Sequence, residues 1–290
     1  MRGIVMAGGK GSRLDPISTA CNKQLLPVYD KPLIYYPITT LISGGIREIL
    51  LITTQRDKPN FEYLLKDGSQ WGISISYAEE IQPKGIAAAF TIGENFIGRE
   101  SVCLILGDNI FSGPAMSDLV TCSSHLSYGA KILGYRVSHP ERYGVVEFDS
   151  TGQIVGLEEK PERPKSNLVV PGLYFYDHQV VSIAKALQPS GRGELEITDV
   201  NRTYLEQGQL QCEMLSNTTA WIDAGTPEAL NQSSNYIYYT QKCQGVKIGC
   251  PEETAYRKGF ITYDQLQALG KQLEKTEYGQ YLLHHEKALL

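Results

Sequence analysis

Two kinds of apolar pattern alternate along the first part of the chain. Short uninterrupted runs occur at residues 3–6 (GIVM), 48–53 (EILLIT), 73–77 (ISISY) and 102–106 (VCLIL). Between them, apolar positions recur at helical spacing over 32–43, 60–66 and 85–96. Strands that are apolar throughout are buried on both faces, and helices between them supply the cover. Further on, 130–137, 143–148, 154–157 and 169–176 read as strands, and 197–207 and 227–238 as helices. Beyond about residue 241 only short helical patterns remain, at 263–269 and 278–288.

These elements predict an α/β fold: a Rossmann-like open, mostly parallel mixed sheet with helices on both faces, followed by a helical C-terminal extension. Residues 1–240 are expected to form the catalytic domain and 241–290 the extension, with no Pro/Gly/Ser-rich linker between them. No internal repeat of about 20–50 residues points to a solenoid. In an open α/β sheet, ligands sit beyond the carboxyl ends of the strands. Two loops fall at such ends, 7–14 after the first strand and 107–111 after the fourth.

Composition narrows the function classes. Of 290 residues, 42% are hydrophobic, an ordinary core content, and net charge is −5. That balance argues against binding to nucleic-acid polymers or anionic membranes, which favours a basic excess. No run of about 20 apolar residues suggests a membrane span, and none near the start suggests a signal peptide. The six cysteines are scattered without a CxxC pair, as expected of reduced thiols in the cytoplasm.

The first loop, Ala7-Gly8-Gly9-Lys10-Gly11-Ser12-Arg13-Leu14, carries the chemistry. Three glycines at a strand end let backbone N–H groups approach a phosphate, and Arg13 adds a fixed cation. The pattern is neither GxGxxG nor the P-loop GxxxxGK[ST]. Taken alone, it fits a polyphosphate cradle or a glycine-rich turn. None of the five histidines neighbours a GxSxG or a motif cysteine, so no protein nucleophile is implied.

That loop, followed by Asn22-Lys23-Gln24-Leu25-Leu26-Pro27 and Asp30-Lys31-Pro32, resembles the signature of the sugar nucleotidyltransferase family. The likeness is closest to its short bacterial thymidylyl-transferring members. It continues in order through Leu106–Phe111, Pro140–Phe148, Leu157–Pro161, Gly172–Asp177, Arg192–Asp199, Trp221–Asp223 and Cys250–Glu253. The resemblance implies transfer of a deoxythymidylyl group from dTTP to glucose 1-phosphate, with Mg²⁺, in a cytoplasmic homotetramer. It implies catalytic roles for Arg13, Lys23 and Lys160. It places the nucleotide on Gly8, Gly9, Gly11, Ser12, Arg13, Glu80, Gly85 and Asp108. The sugar phosphate would meet Asn109, Gly144, Glu159, Lys160 and Tyr174, and the metal Asp108 and Asp223. Mg²⁺ typically takes one or two protein carboxylates plus phosphates and water. UTP or another NTP, or a modified hexose 1-phosphate, remains an alternative substrate. A catalytically silent nucleotide-sugar-binding regulatory protein is the alternative of another class.

Several positions depart from the family pattern. Without gaps, Glu80 stands where a glutamine usually reads the thymine edge; Gln82 lies two residues on. An ionised glutamate only accepts hydrogen bonds, whereas glutamine also donates. Lys84, Ala88, Pro171 and Ala224 replace aspartate, glutamine, threonine and threonine. Ser112-Gly113-Pro114 replaces Tyr-Gly-His beside the family's feedback site, which predicts a weakened feedback response.

Overall fold

The computed structural model describes residues 1–9 and 11–285; Lys10 and the end of the expected 278–288 helix lie outside them. The elements follow in order: β1 (Arg2–Ala7), a tight hairpin of β2 (Pro27–Val28) and β3 (Lys31–Pro32), α1 (Tyr35–Ser43), β4 (Glu48–Thr53), α2 (Lys58–Leu65), β5 (Ser74–Glu79), α3 (Ala88–Ile92), α4 (Glu94–Ile97) and β6 (Val102–Leu106). Then come β7 (Asn109–Ser112), α5 (Met116–Ser124), β8 (Ala130–Arg136), β9 (Gly144–Phe148), β10 (Ile154–Glu159), β11 (Leu168–Val169), β12 (Leu173–Tyr176), α6 (Val180–Ala186) and α7 (Ile197–Glu206). The chain closes with β13 (Leu210–Met214), β14 (Ala220–Asp223), α8 (Pro227–Gln244), α9 (Pro251–Arg257), α10 (Tyr263–Gln272) and α11 (Glu277–Leu283).

Ten strands form one sheet in the order β10-β9-β11-β8-β12-β6-β1-β4-β5, with β13 pairing β8 off that path. The first half is parallel: β1 lies between β4 and β6, and β5 continues beyond β4. The apolar runs account for this, since Ile4, Val5, Ile49, Leu51, Ile52 and all of Val102–Ile105 are fully buried. β12 then enters antiparallel between β6 and β8, which makes the sheet mixed. β7 and β14 leave the sheet and pair antiparallel with each other, Asp223 opposite Asn109.

Departures from the sequence reading have local causes. The expected 85–96 helix starts only at Ala88, because Gly85 adopts φ +98, and it breaks at Gly93. The expected 169–176 strand is two strands, interrupted around Pro171, which has no N–H to extend a ladder. α8 runs on to Gln244 and stops at left-handed Gly245. The C-terminal helices share a core with the sheet's cover: Cys250, Ala255, Tyr256, Leu266 and Leu282 join the cluster of Ile38, Leu41 and Trp71. Among the described residues, no helix is long and apolar enough to cross a membrane.

Candidate active site

The loop after β1 shapes the first wall. Gly11 takes φ +67, a left-handed turn that favours glycine, and opens a short 3-10 helix from Ser12 to Leu14. Ser12 and Arg13 are exposed. Ser18 Oγ holds the loop by donating to the Gly11 carbonyl at 2.9 Å. Gly8 is packed against Glu80, where a Cβ would come within 2.3 Å of Glu80 Oε2. Gly85, beyond Glu80, is packed as closely against Leu195, whose carbonyl would lie 2.5 Å from a Cβ.

The floor is a pair of carboxylates, one buried and one half-buried. Asp108 follows β6 and Asp223 ends β14, and the β7–β14 ribbon draws the two strands together. Ala224 N–H donates to the Asp108 carbonyl at 3.0 Å and locks the turn. Burial alone would push the Asp108 carboxyl up. The Lys23 ammonium, which pairs with Oδ2, and the Asn109 amide, which donates to Oδ1 at 3.0 Å, hold it below the usual range instead. Asp223 goes the other way, to about 6, from burial and then the adjacent Asp108 charge. Two desolvated acids whose repulsion suppresses ionisation of one suit a hard divalent cation, which would favour both charges. Among the described residues, no three His, Cys, Asp or Glu side chains cluster as a fuller metal cage.

The rim is cationic. Gly225 leaves room for a guanidinium: a Cβ there would lie 2.8 Å from Arg13 Nη2 and 2.9 Å from Asp223 Oδ1. Arg142 and Lys160, both exposed, line the same cavity. Lys160 has φ +44, a conformation that is strained for a lysine and turns the chain sharply after β10.

A cavity of about 210 Å³ opens beside the carboxylates, and Gly144, Glu159 and Tyr174 line it. Glu159 is held from three sides: Thr198 Oγ1 donates to Oε2 at 2.5 Å, Arg192 lies 3.3 Å and Lys160 3.6 Å from Oε1. Gly144 leaves the space this needs, as a Cβ would sit 2.9 Å from Thr198 Oγ1. Burial and the charges of Glu159, Asp108 and Asp223 keep the Tyr174 phenol neutral, its pKa raised.

Asn109 has a different position from the one its neighbourhood suggests. It is 2% exposed, and its Oδ1 accepts from Trp221 Nε1 at 2.6 Å and Gly172 N at 3.1 Å. With Nδ2 on Asp108, each polar atom of its side chain has a protein partner. Asn109 thus fastens β7, β12 and β14 together. Trp221 in turn carries the Tyr143 ring edge-on at 5.1 Å.

The structure therefore brings Arg13, Asp108, Asn109, Gly144, Glu159, Lys160, Tyr174 and Asp223 around one cavity. Lys23 joins through Asp108, whereas Glu80 stands against Gly8 of the glycine loop and Gly85 against Leu195. Arg142, Thr198 and Arg192 received no role from the sequence. Each lies inside a motif quoted above, and only the fold shows Thr198 and Arg192 converging on Glu159.

A family model described as "Nucleotidyl transferase" matches residues 2–239. The chain is 53% identical to a glucose-1-phosphate thymidylyltransferase of Mycolicibacterium smegmatis, covering 98% of each chain. It is 51% identical to the enzyme of that name from Neisseria gonorrhoeae, covering 98% of this chain and 99% of that one. Among solved structures, one from Bacillus anthracis, assigned as a glucose-1-phosphate thymidylyltransferase in complex with sucrose, aligns with TM-score 0.75 and 40% identity over 81% of this chain and 94% of that one. A UDP-glucose pyrophosphorylase bound to UDP-glucose shares the fold, with TM-score 0.72 and 24% identity over 82% of this chain and 98% of that one.

Proposed function

The chain belongs to the nucleotidyl transferase family, and from that premise we propose that it transfers a thymidylyl group from dTTP to glucose 1-phosphate, releasing pyrophosphate. The observation that carries this reading is the Asp108–Asp223 pair beneath a cationic rim, opening onto a cavity with a carboxylate and a phenol suited to hydroxyls. A sugar-phosphate oxygen forms a bond to the α-phosphorus as the α–β bridging bond breaks on the opposite side. The pyrophosphate takes the electron pair. Two anions must meet, so positive charge and positioning do most of the work.

In this reading Gly8, Gly9, Gly11 and Ser12 offer backbone N–H groups to the triphosphate. Arg13 and Lys23 balance its charge and the charge that grows on the leaving pyrophosphate. Lys160 holds the sugar phosphate, and Glu159 and Tyr174 meet the hexose hydroxyls above Gly144. Asp108 and Asp223 would hold Mg²⁺, which would supply charge neutralisation at the phosphates. Lys23, which pairs with Asp108 and lies beside Gly9, is placed to meet the triphosphate. Asn109 acts through Asp108 and is a positioning residue. Glu80 and Gly85 face the base.

The test is pyrophosphate release from glucose 1-phosphate, Mg²⁺ and each NTP in turn. Release with dTTP is expected; preference for another base would overturn the thymidylyl assignment, and no release with any NTP would favour a binding role. Asp108→Asn should lower turnover by orders of magnitude. Near-normal turnover would remove Asp108 from the metal site.

A further inference from the structure

Lys23 sits on a turn whose support comes from the far end of the chain. Lys23–Leu25 is a single 3-10 turn, and the β2–β3 hairpin follows it at once. The residues leaving the hairpin bond back to that turn. Leu33 N–H donates to the Leu26 carbonyl at 2.9 Å, and Ile34 N–H to the Gln24 carbonyl at 2.8 Å. Lys23 is therefore tied to the hairpin. With two residues per strand, such a hairpin is marginal alone and takes its place from what packs on it.

Its charged anchors lie beyond α8. Lys247 Nζ reaches Asp30 Oδ2 at 2.5 Å, Lys31 pairs with Asp30 Oδ1, and Lys31 Nζ donates to the Ile248 carbonyl at 3.0 Å. The side chains of Asp30, Lys31 and Lys247 are only 16, 2 and 10% exposed. Burial alone would raise the Asp30 carboxyl; the two ammoniums hold it below its usual range instead. Ion pairs so far from water demand good geometry, because only that offsets their desolvation. The chain past Ile248 is confined too. Gly249 takes φ +68, and a Cβ there would collide with the Tyr36 ring. Ile248 packs on a small core that joins Val28 and Leu33 of the hairpin to Ile110 and Ala224, the neighbours of Asn109 and Asp223.

Resting on the reading of Lys23 as a triphosphate cation, we propose that Lys247 is a positioning residue for the transfer. Through Asp30 and Lys31 it holds the hairpin, and through the hairpin it sets the Lys23 ammonium against Asp108, beside the glycine loop. Lys247 does not line the substrate cavity, so it acts at a distance. The C-terminal extension is then a working part of the catalytic unit.

Lys247→Met tests this in the full chain. It removes one ammonium but leaves Asp30 paired with Lys31, so no lone charge stays buried, and the flexible thioether fills most of the space. The first readout is acylation of each lysine by acetic anhydride, followed by mass spectrometry. Lys23 should be labelled several-fold faster in the variant, while Lys131, paired with Glu213 in the sheet, is labelled as before. The second readout is kinetic. A displacement of about 1 Å near reacting groups lowers turnover about tenfold to a hundredfold, so kcat should fall by that much with KM for glucose 1-phosphate unchanged. Lys247→Gln, which keeps an amide donor toward Asp30, should fall between wild type and Lys247→Met on both readouts. Unchanged Lys23 labelling would overturn the proposal. A matching rise at Lys131 would do so too, since it means general loosening, as would a glutamine variant worse than the methionine one. Faster Lys23 labelling with a normal kcat would instead defeat the reading of Lys23 on which the proposal rests.

Discussion

Replacing Asn109 tests whether one side chain supports both the fold and the carboxylate pair. Asn109→Leu keeps the approximate volume but leaves two buried donors, Trp221 Nε1–H and Gly172 N–H, without their shared acceptor. An orphaned buried donor costs about 1–3 kcal/mol, so the expected loss is about 2–6 kcal/mol of stability. Asn109→Asp separates the two roles. It retains the acceptor for Trp221 and Gly172 but replaces the Nδ2 donor with a second negative oxygen beside Asp108. Its stability should fall less than that of Asn109→Leu, while turnover falls sharply because the charge balance of Asp108 is disturbed. Denaturant titration followed by tryptophan fluorescence reads the first effect, and pyrophosphate release the second. A loss below about 1 kcal/mol in Asn109→Leu would show that the two N–H groups find other partners, and the fastening role would be wrong.

Three further outcomes are expected. Thr198→Val removes the 2.5 Å bond that orients Glu159, so KM for glucose 1-phosphate should rise about tenfold with KM for dTTP unchanged; equal effects on both would detach Thr198 from the sugar. Gly85→Ala forces a residue with φ +98 against Leu195 and should cost about 1–3 kcal/mol in thermal stability, whereas a neutral result would mean the loop relaxes freely. Despite its burial, Asp57 is held below the usual carboxyl range by hydrogen bonds from Asn22 and Thr54 and by Arg56. A depressed acid stabilises the fold above its unfolded pKa of about 3.9 and loses that as pH falls. The stability gap between wild type and Asp57→Asn should therefore narrow on acidification, and a constant gap would refute it.

Much of the frame was legible because its strands are long enough to announce themselves. Glu48–Thr53 and Val102–Leu106 are where the apolar runs place them, since a strand covered on both faces buries such runs along its whole length. β7 and β14 escaped notice because they carry Asn109, Ser112 and Asp223, polar residues whose burial is tolerated only through partners distant in sequence. The same reason hid Thr198 and Arg192: their meaning lies in Glu159, which the chain reaches only through the sheet. Arg13, Asp108 and Asp223 were legible as residue types, but only the ribbon shows why the two acids face each other.

The β7–β14 ribbon also sets an order of events during synthesis. The four parallel strands β1, β4, β5 and β6 have all been made once Leu106 has emerged. Asp108 then waits for a strand made more than a hundred residues later. A chain that stops short of Ala220 lacks one half of the carboxylate pair, whatever else of the sheet it has made. The carboxylate pair is complete only when this one short, late strand is in place.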